Sequence, residues 1–279
     1  MPRQKRLCRD KEEKIMSLKK ILAMSLALAL SLSCLFGCEL VGGSVDAVAA
    51  MKEAEGTLTD SQYTAVVTTE ISAKDPALKE RIDALGESNI TIVYGDAGFK
   101  LRSDMSIDGA RVFGTYTAFD GVLYFESMAT VGEDSSFLKQ KARIDQMDLN
   151  AFTSHIGAGI QIDYTDFESV VASGSAGKCT VTCTDLKDEL VESAEYTLSS
   201  MLGDDFKLTL SDVVYVATLK DRAFMTESVK YMFSVEMDGA LYNMESVVTI
   251  AYDYSTEISI SAPADAEMYD EISFENMIR

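Results

Sequence analysis

Tryptophan is absent, histidine occurs once and proline three times in the 279 residues, and these scarcities exclude several functions at the outset. A Ser-His-Asp triad would have to take its base from His155, and the Gly-x-Ser-x-Gly elbow that often presents such a serine does not occur. Followed closely by Gly157 and Gly159, His155 reads as a surface or capping residue. One histidine cannot build a multi-histidine zinc site. No glycine-rich phosphate loop is present. The missing indole weakens carbohydrate stacking, although 12 Tyr and 12 Phe remain. With so little proline, and no Ser/Gly/Pro-rich linker after Ser44, nothing divides the chain into separate domains.

What is present begins with a location signal. Lys19 and Lys20 precede an apolar run, Ile21 to Phe36, that is interrupted by Ser25, Ser31 and Ser33. It falls short of the roughly 20 apolar residues a membrane-spanning helix needs and has the build of a signal peptide. Residues 1–15 are charged and without pattern, and Met16 is a better start. The run ends in Leu35-Phe36-Gly37-Cys38: a small residue before a cysteine and a leucine three positions earlier. This resembles the lipobox of bacterial prolipoproteins, although Phe36 is bulky for its place. The resemblance implies removal of residues 1–37 and a diacylglyceryl group on Cys38. Cys34 competes less well, with Ser31 where leucine is expected, and the other reading is a secreted protein with an incidental cysteine. Two acyl chains give lasting attachment where one does not. Residues 38–43 then form a short lipidated tether and 44–279 a single domain close to the bilayer.

Residues 1–37 hold eight of the 25 Lys/Arg and three of the 45 Asp/Glu, leaving 17 against 42 and a net charge of −25. Such a surface excludes nucleic acid as a partner and is repelled by anionic headgroups. It serves solubility or a cationic partner. Cys179 and Cys183 alternate with Thr180, Val181 and Thr182 as in a strand. About 13 Å apart along it, they exceed the roughly 7 Å limit for a disulfide and read as small buried residues facing one way with Val181.

Ser44 reads as the N-cap of a helix through Val45, Val48, Met51 and Ala54 that stops at Gly56, and Tyr63 to Ile71 alternates as a half-buried strand. Asp75-Pro76, Leu78, Ile82, Leu85 and Gly86 mark a short helix. Strands follow at 90–94, 99–107, 110–119 and 122–127, with turns at 95–98, Asp108-Gly109 and Asp120-Gly121. Beyond them lie an acidic patch at Glu133 and Asp134 and a short helix around Leu149 to Ile156. Lys178 to Thr184 forms a strand, and Asp185 caps a helix with Leu186, Leu190, Ala194, Leu198 and Met201 on one side. A second meander covers 207–219, 223–237 and 240–254. A strand of 15 residues would be about 50 Å long against a domain diameter near 46 Å, so these strands must curl or bulge. The fold class expected is α+β: a strongly curved antiparallel sheet, an open half-barrel of two meanders, with amphipathic helices against its concave face.

The lipobox, the helix-strand-helix opening, the two meanders around a helix and the closing Ser261-Ala262-Pro263-Ala264-Asp265-Ala266 are similar to the half-barrel lipoproteins of the LolA and LppX–LprG type, including clostridial surface lipoproteins. The likeness covers Ser44 to Arg279. It implies a Gram-positive, lipid-anchored protein on the outer face of the cell membrane, holding acyl chains or another protein's lipid on the concave face.

Acidic groups such as Asp163, Asp166 and Glu168, or Asp265, Glu267, Asp270 and Glu271, match no EF-hand loop. No catalytic residue, metal or cofactor is expected. Of fourteen methionines, five (Met105, Met225, Met232, Met237 and Met244) fall within expected strands, where a flexible thioether suits varied apolar shapes or plain core filling. Met232 lies opposite in face to Phe233. The candidate ligand-binding residues are Leu101, Met105, Tyr231, Phe233, Val235, Tyr242, Met244 and Val248, one apolar sheet face. The expected function is a non-enzymatic lipoprotein that binds or carries a hydrophobic ligand. The alternative is a surface interaction or sensor module with a closed core and an unknown protein partner.

Overall fold

The computed structural model describes residues 46–76, 79, 82, 88–107, 110–131, 134–145, 164–175, 177–202, 207–237 and 240–277. Cys38 and the rest of the signal and tether, Ser44, His155 and the helix expected around Leu149 lie outside these residues. Among the described residues no helix is long and apolar enough to cross a membrane.

Twelve strands form one large curved sheet in the order β12-β6-β5-β4-β3-β2-β1-β11-β10-β9-β8-β7. The first meander comprises β1 (Tyr63–Ala73), β2 (Ser88–Gly95), β3 (Gly98–Ile107), β4 (Ala110–Phe119), β5 (Val122–Val131) and β6 (Asp134–Arg143). The second comprises β7 (Phe167–Ser175), β8 (Lys178–Leu186), β9 (Lys207–Lys220), β10 (Ala223–Met237) and β11 (Ala240–Asp253). β1 pairs with β11, Val67 opposite Ile250, so the two expected meanders are halves of one sheet. All neighbours are antiparallel except β12 (Asp270–Glu271), which lies parallel to β6.

The turns follow the backbone chemistry of their residues. Asp120 and Gly121 both take positive φ, 49° and 71°, the pair that matches the twist of a two-residue hairpin. Gly98, at φ 146°, could not be replaced: a Cβ there would come within 2.0 Å of the Ala118 carbonyl oxygen. The unexpected strand β6 and the extension of β5 to Val131 lie where the sequence is polar at Asp134, Ser135 and Ser136, and the first five residues of β6 are exposed on both faces.

Two helices lie against the second half. α1 (Ala47–Asp60) is capped by Asp46, whose carboxylate accepts from the amides of Val48 and Ala49, rather than by Ser44. It runs on through Gly56, where an added Cβ would meet no neighbouring atom, because Leu58 continues its apolar side. Val48, Met51 and Ala54 are buried, and α1 packs on β10, β9 and β7. Side chains of Val48 and Met51 size stabilise by about 1.5–3 kcal/mol each when removed from water. α2 (Asp188–Leu202) packs on β9 with Ala194 fully buried. Asp185, expected to cap α2, instead belongs to β8 with φ 64°. Glu195 of α2 accepts from the Leu210 amide at 2.7 Å. Near 75–86 the described residues Pro76, Lys79 and Ile82 are helical, and the Lys79 amide donates to the Asp75 carbonyl at 2.8 Å.

The long strands do bulge. On β10 an extra residue at Met225 lets Phe224 and Glu227, of opposite parity, face the same way. On β9 the register shifts between Ser211 and Val214, with Asp212 at φ 51°. Leu208 and Leu210 before this bulge, and Val213, Tyr215, Ala217 and Leu219 after it, are therefore all buried. A one-residue insertion reverses alternation and increases local twist and bend, which is how a strand of this length follows a curved surface.

The chain end straps the outer side of β5 and β6. Lys139 donates to Asp265 and lies 3.6 Å from Glu126, and the Tyr269 hydroxyl donates to Glu126 at 3.2 Å. The Ile272 amide then bonds to the Lys141 carbonyl at 2.9 Å, and the short helix α3 (Phe274–Met277) packs on β6.

Candidate functional site

Register carries one face across the whole sheet. Leu101 sits opposite Ile92 and Tyr116, Ile92 opposite Ala65, Ala65 opposite Tyr252, and the chain of partners continues into β10 and β9. All eight candidate residues fall on this face: Leu101 and Met105 in the first half, Tyr231, Phe233, Val235, Tyr242, Met244 and Val248 in the second. The structure does not bring them into one open patch. Phe233, Val235, Met244 and Val248 are 1–3% exposed, and Tyr231 and Leu101 are also buried. Only Met105 and Tyr242 are half-buried. Burial pushes the Tyr231 hydroxyl far above its ordinary range.

In the first half the burial is uneven. Phe99, Ala118, Leu123 and Ala142, at the end nearest the Asp120-Gly121 turn, are sealed, whereas Met105, Val112, Tyr116, Phe125 and Ala129 are half-buried. Here a row of small residues, Ser103, Gly114 and Ser127, crosses β3, β4 and β5 side by side. On one side of it Tyr116 stacks on Phe125 with ring centroids 4.5 Å apart. On the other stand Met105 and Val112, directly opposite one another. The arrangement is a half-exposed apolar strip, termed the trough, bordered by an aromatic pair, with the Ser103 hydroxyl and the Phe125 ring beside Gly114. Burial raises the Tyr116 hydroxyl, so it stays a neutral donor at any physiological pH.

A second constellation went unread in the sequence. Glu227 is buried in the apolar face of β10, where Tyr215 donates to its Oε1 at 2.5 Å and Tyr252 donates to its Oε2. Tyr252 stacks on Tyr254 at 6.3 Å and meets Tyr63 edge-on at 5.7 Å, and Tyr63 stacks on Tyr94 at 5.5 Å. Burial first, and the neighbouring carboxylate second, push the Tyr215 and Tyr252 hydroxyls well above their usual range and Tyr254 up to about 12. Two donated hydroxyls offset part of the cost of burying a carboxylate. The signal was available: Glu227 is in phase with Val229, Tyr231, Phe233 and Val235, a charge at an apolar position of a period-two strand.

Cys179 and Cys183 form no disulfide and are buried beside Val181, as their spacing required, and burial raises the Cys179 thiol. Asp265 is engaged with Lys139, which holds its carboxyl below the usual range. Among the described residues no group of three or more His, Cys, Asp or Glu could hold a metal ion; Asp163 lies outside them.

No family model and no curated protein matches the chain. Solved structures that share some likeness are the dehydratase domain from the CurF module of curacin polyketide synthase, at 12% identity over 74% of this chain and 81% of that one, with a TM-score of 0.15. An inactive mutant of the CurK dehydratase follows at 10% identity, 69% and 77% coverage and a TM-score of 0.14. Similarity at that level carries no argument about fold or chemistry.

Proposed function

We propose that this protein is a membrane-anchored lipoprotein of the half-barrel, LolA-like kind that binds acyl chains of lipid on the concave face of its sheet, by binding rather than catalysis. The observation that supports this is the half-exposed trough of β3 to β5. Met105, Val112, Tyr116 and Phe125 continue the apolar face that α1 and α2 cover elsewhere. Each methylene moved from water into such a surface gains about 0.8 kcal/mol. The eight residue steps from Cys38 to Asp46 reach at most about 28 Å, which would keep the domain close to the bilayer surface. On this reading Leu101 and Met105 touch ligand, and the remaining six candidates form the wall behind it.

The second reading, an interaction module closed by its own helices, is favoured by the depth at which five of those six lie, all but Tyr242: Val235 and Val248 are each 1% exposed. Native mass spectrometry of gently purified, processed protein separates the two. A lipid adduct that is lost in a Met105→Glu, Phe125→Glu double variant, together with apolar dye binding by the emptied protein, is the expected result. A lipid-free mass with no dye uptake would overturn the carrier reading. Radiolabelled palmitate incorporation that survives Cys38→Ser would overturn the anchor.

A further inference from the structure

α1 has a second face. Asp46, Ala49, Ala50 and Glu53 recur at the i, i+3, i+4, i+7 spacing of one helix side, turned away from Val48, Met51 and Ala54. Between that side and the ends of β7 to β10 lies a groove of about 470 Å³ with Cys179 and Leu219 at its floor and Asp221 and Arg222 on the facing wall. This is ligand-sized, within the roughly 300–1,000 Å³ typical of binding clefts. None of the eight concave-face candidates lines it.

Small residues keep the groove open. Ala49 and Ala50 leave room on the helix side. Gly174, opposite Cys179 in the ladder, has φ 118°, and a Cβ on it would meet the Lys178 carbonyl oxygen at 2.5 Å. Charge is one-sided: three carboxylates, Asp46, Glu53 and Asp221, face one guanidinium. That guanidinium, on Arg222, reaches across to Glu53 at 3.0 Å, with side chains 72% and 49% exposed. Arg222 is also misplaced for its turn. Asp221 and Arg222 have φ 51° and 69°, the left-handed pair whose second position ordinarily takes glycine. An anion would meet the excess of carboxylates, and the net charge of −20 already draws cations toward the surface.

We propose that this groove binds a small organic cation, an ammonium on a short apolar tail. The ammonium takes the place of the Arg222 guanidinium against Glu53 and Asp221, and the tail lies over Leu219, Cys179 and the two alanines. The site is separate from the trough of β3 to β5 and stands or falls without it.

The test uses the full processed chain with n-octylammonium, octanoate and octanol as probes below their aggregation limits, followed by calorimetry and by mass-mapped alkylation of Cys179. Octylammonium is expected to bind and to slow alkylation at Cys179, whereas octanoate and octanol, even where they enter the trough, should leave Cys179 alkylation unchanged. Asp221→Asn should weaken octylammonium by up to about fivefold, the scale of one exposed charge pair. Arg222→Gly should tighten it without lowering the melting temperature, because a competing cation leaves and the turn relaxes. Equal protection of Cys179 by octanoate or octanol, Cys179 left unprotected by octylammonium, or an octylammonium affinity unmoved by both substitutions would overturn the proposal. Binding confined to the concave trough would show as octylammonium uptake with Cys179 alkylation unchanged.

Discussion

Strands β4 and β5 and strands β10 and β11 each put aromatic and aliphatic side chains on the same face of the sheet, yet Tyr116 and Phe125 stay half-buried while Tyr231, Phe233 and Met244 are sealed. The strands themselves are alike in alternation. What differs is cover: α1 lies on β7, β9 and β10 and α2 on β9. Sidedness is thus a property of each strand, whereas burial depends on which elements the topology returns to that strand. A surface that looks uniform in sequence is divided into a core and a trough.

The sharpest way to break the comparison is to remove the device that keeps β9 in the core. Deleting Asp212 would return β9 to strict alternation and turn either Leu208 and Leu210 or Val213 to Leu219 outward. Loss of a cooperative melting transition is expected by calorimetry, and retention of one would show that the bulge is dispensable.

Alkaline titration comes next. Tyr215, Tyr231 and Tyr252 in the second half all have hydroxyls raised by burial, against Tyr116 in the trough. A raised folded value means that the neutral form is favoured by folding. The resulting stability is fully present below the ordinary tyrosine range and is lost as pH climbs toward the raised values. Above about pH 10, stability should fall by about 1.4 kcal/mol per pH unit for each tyrosine that ionises only on unfolding. Urea midpoints between pH 8 and 11 measure this slope. Tyr231→Phe should flatten it and Tyr116→Phe should change it less; equal changes would erase the distinction between the halves.

A last comparison truncates one side chain in each half. Phe233→Ala should cost about 3–5 kcal/mol, as for a sealed aromatic, whereas Met105→Ala should cost about 1 kcal/mol because water already reaches its site. Denaturant unfolding of both variants decides it, and a Met105→Ala penalty as large as that of Phe233→Ala would mean the trough is packed core.

Much of the fold could be read from adjacent residues. Asp120-Gly121 announced its hairpin because its positive φ values are intrinsic to those residue types. Cys179, Val181 and Cys183 announced a buried face because period two is a local property. Strand β6 was not legible, since Asp134 to Leu138 are exposed on both faces and the single sealed residue, Ala142, is too little to set an alternation. The ends of α1 were misjudged by a few residues: capping is decided by which oxygen reaches the free amides, and Asp46 does. The candidate face was identified as a face and not as a site, because its depth under α1 and α2 is not encoded in any one strand. The groove beside α1 had no sequence signal, since its walls come from residues about 170 positions apart.

Composition, alternation and turn chemistry settle that this chain forms long one-sided antiparallel strands, because those features act between neighbours through backbone dihedrals and the pleat. Fusion of two meanders through β1 and β11, the reversals at Asp212 and Met225, the burial of Glu227 between two hydroxyls and the choice of which half receives helices arise only when distant segments meet. Partners far apart in the chain are selected by how the whole sheet closes and packs, and no local window contains that information.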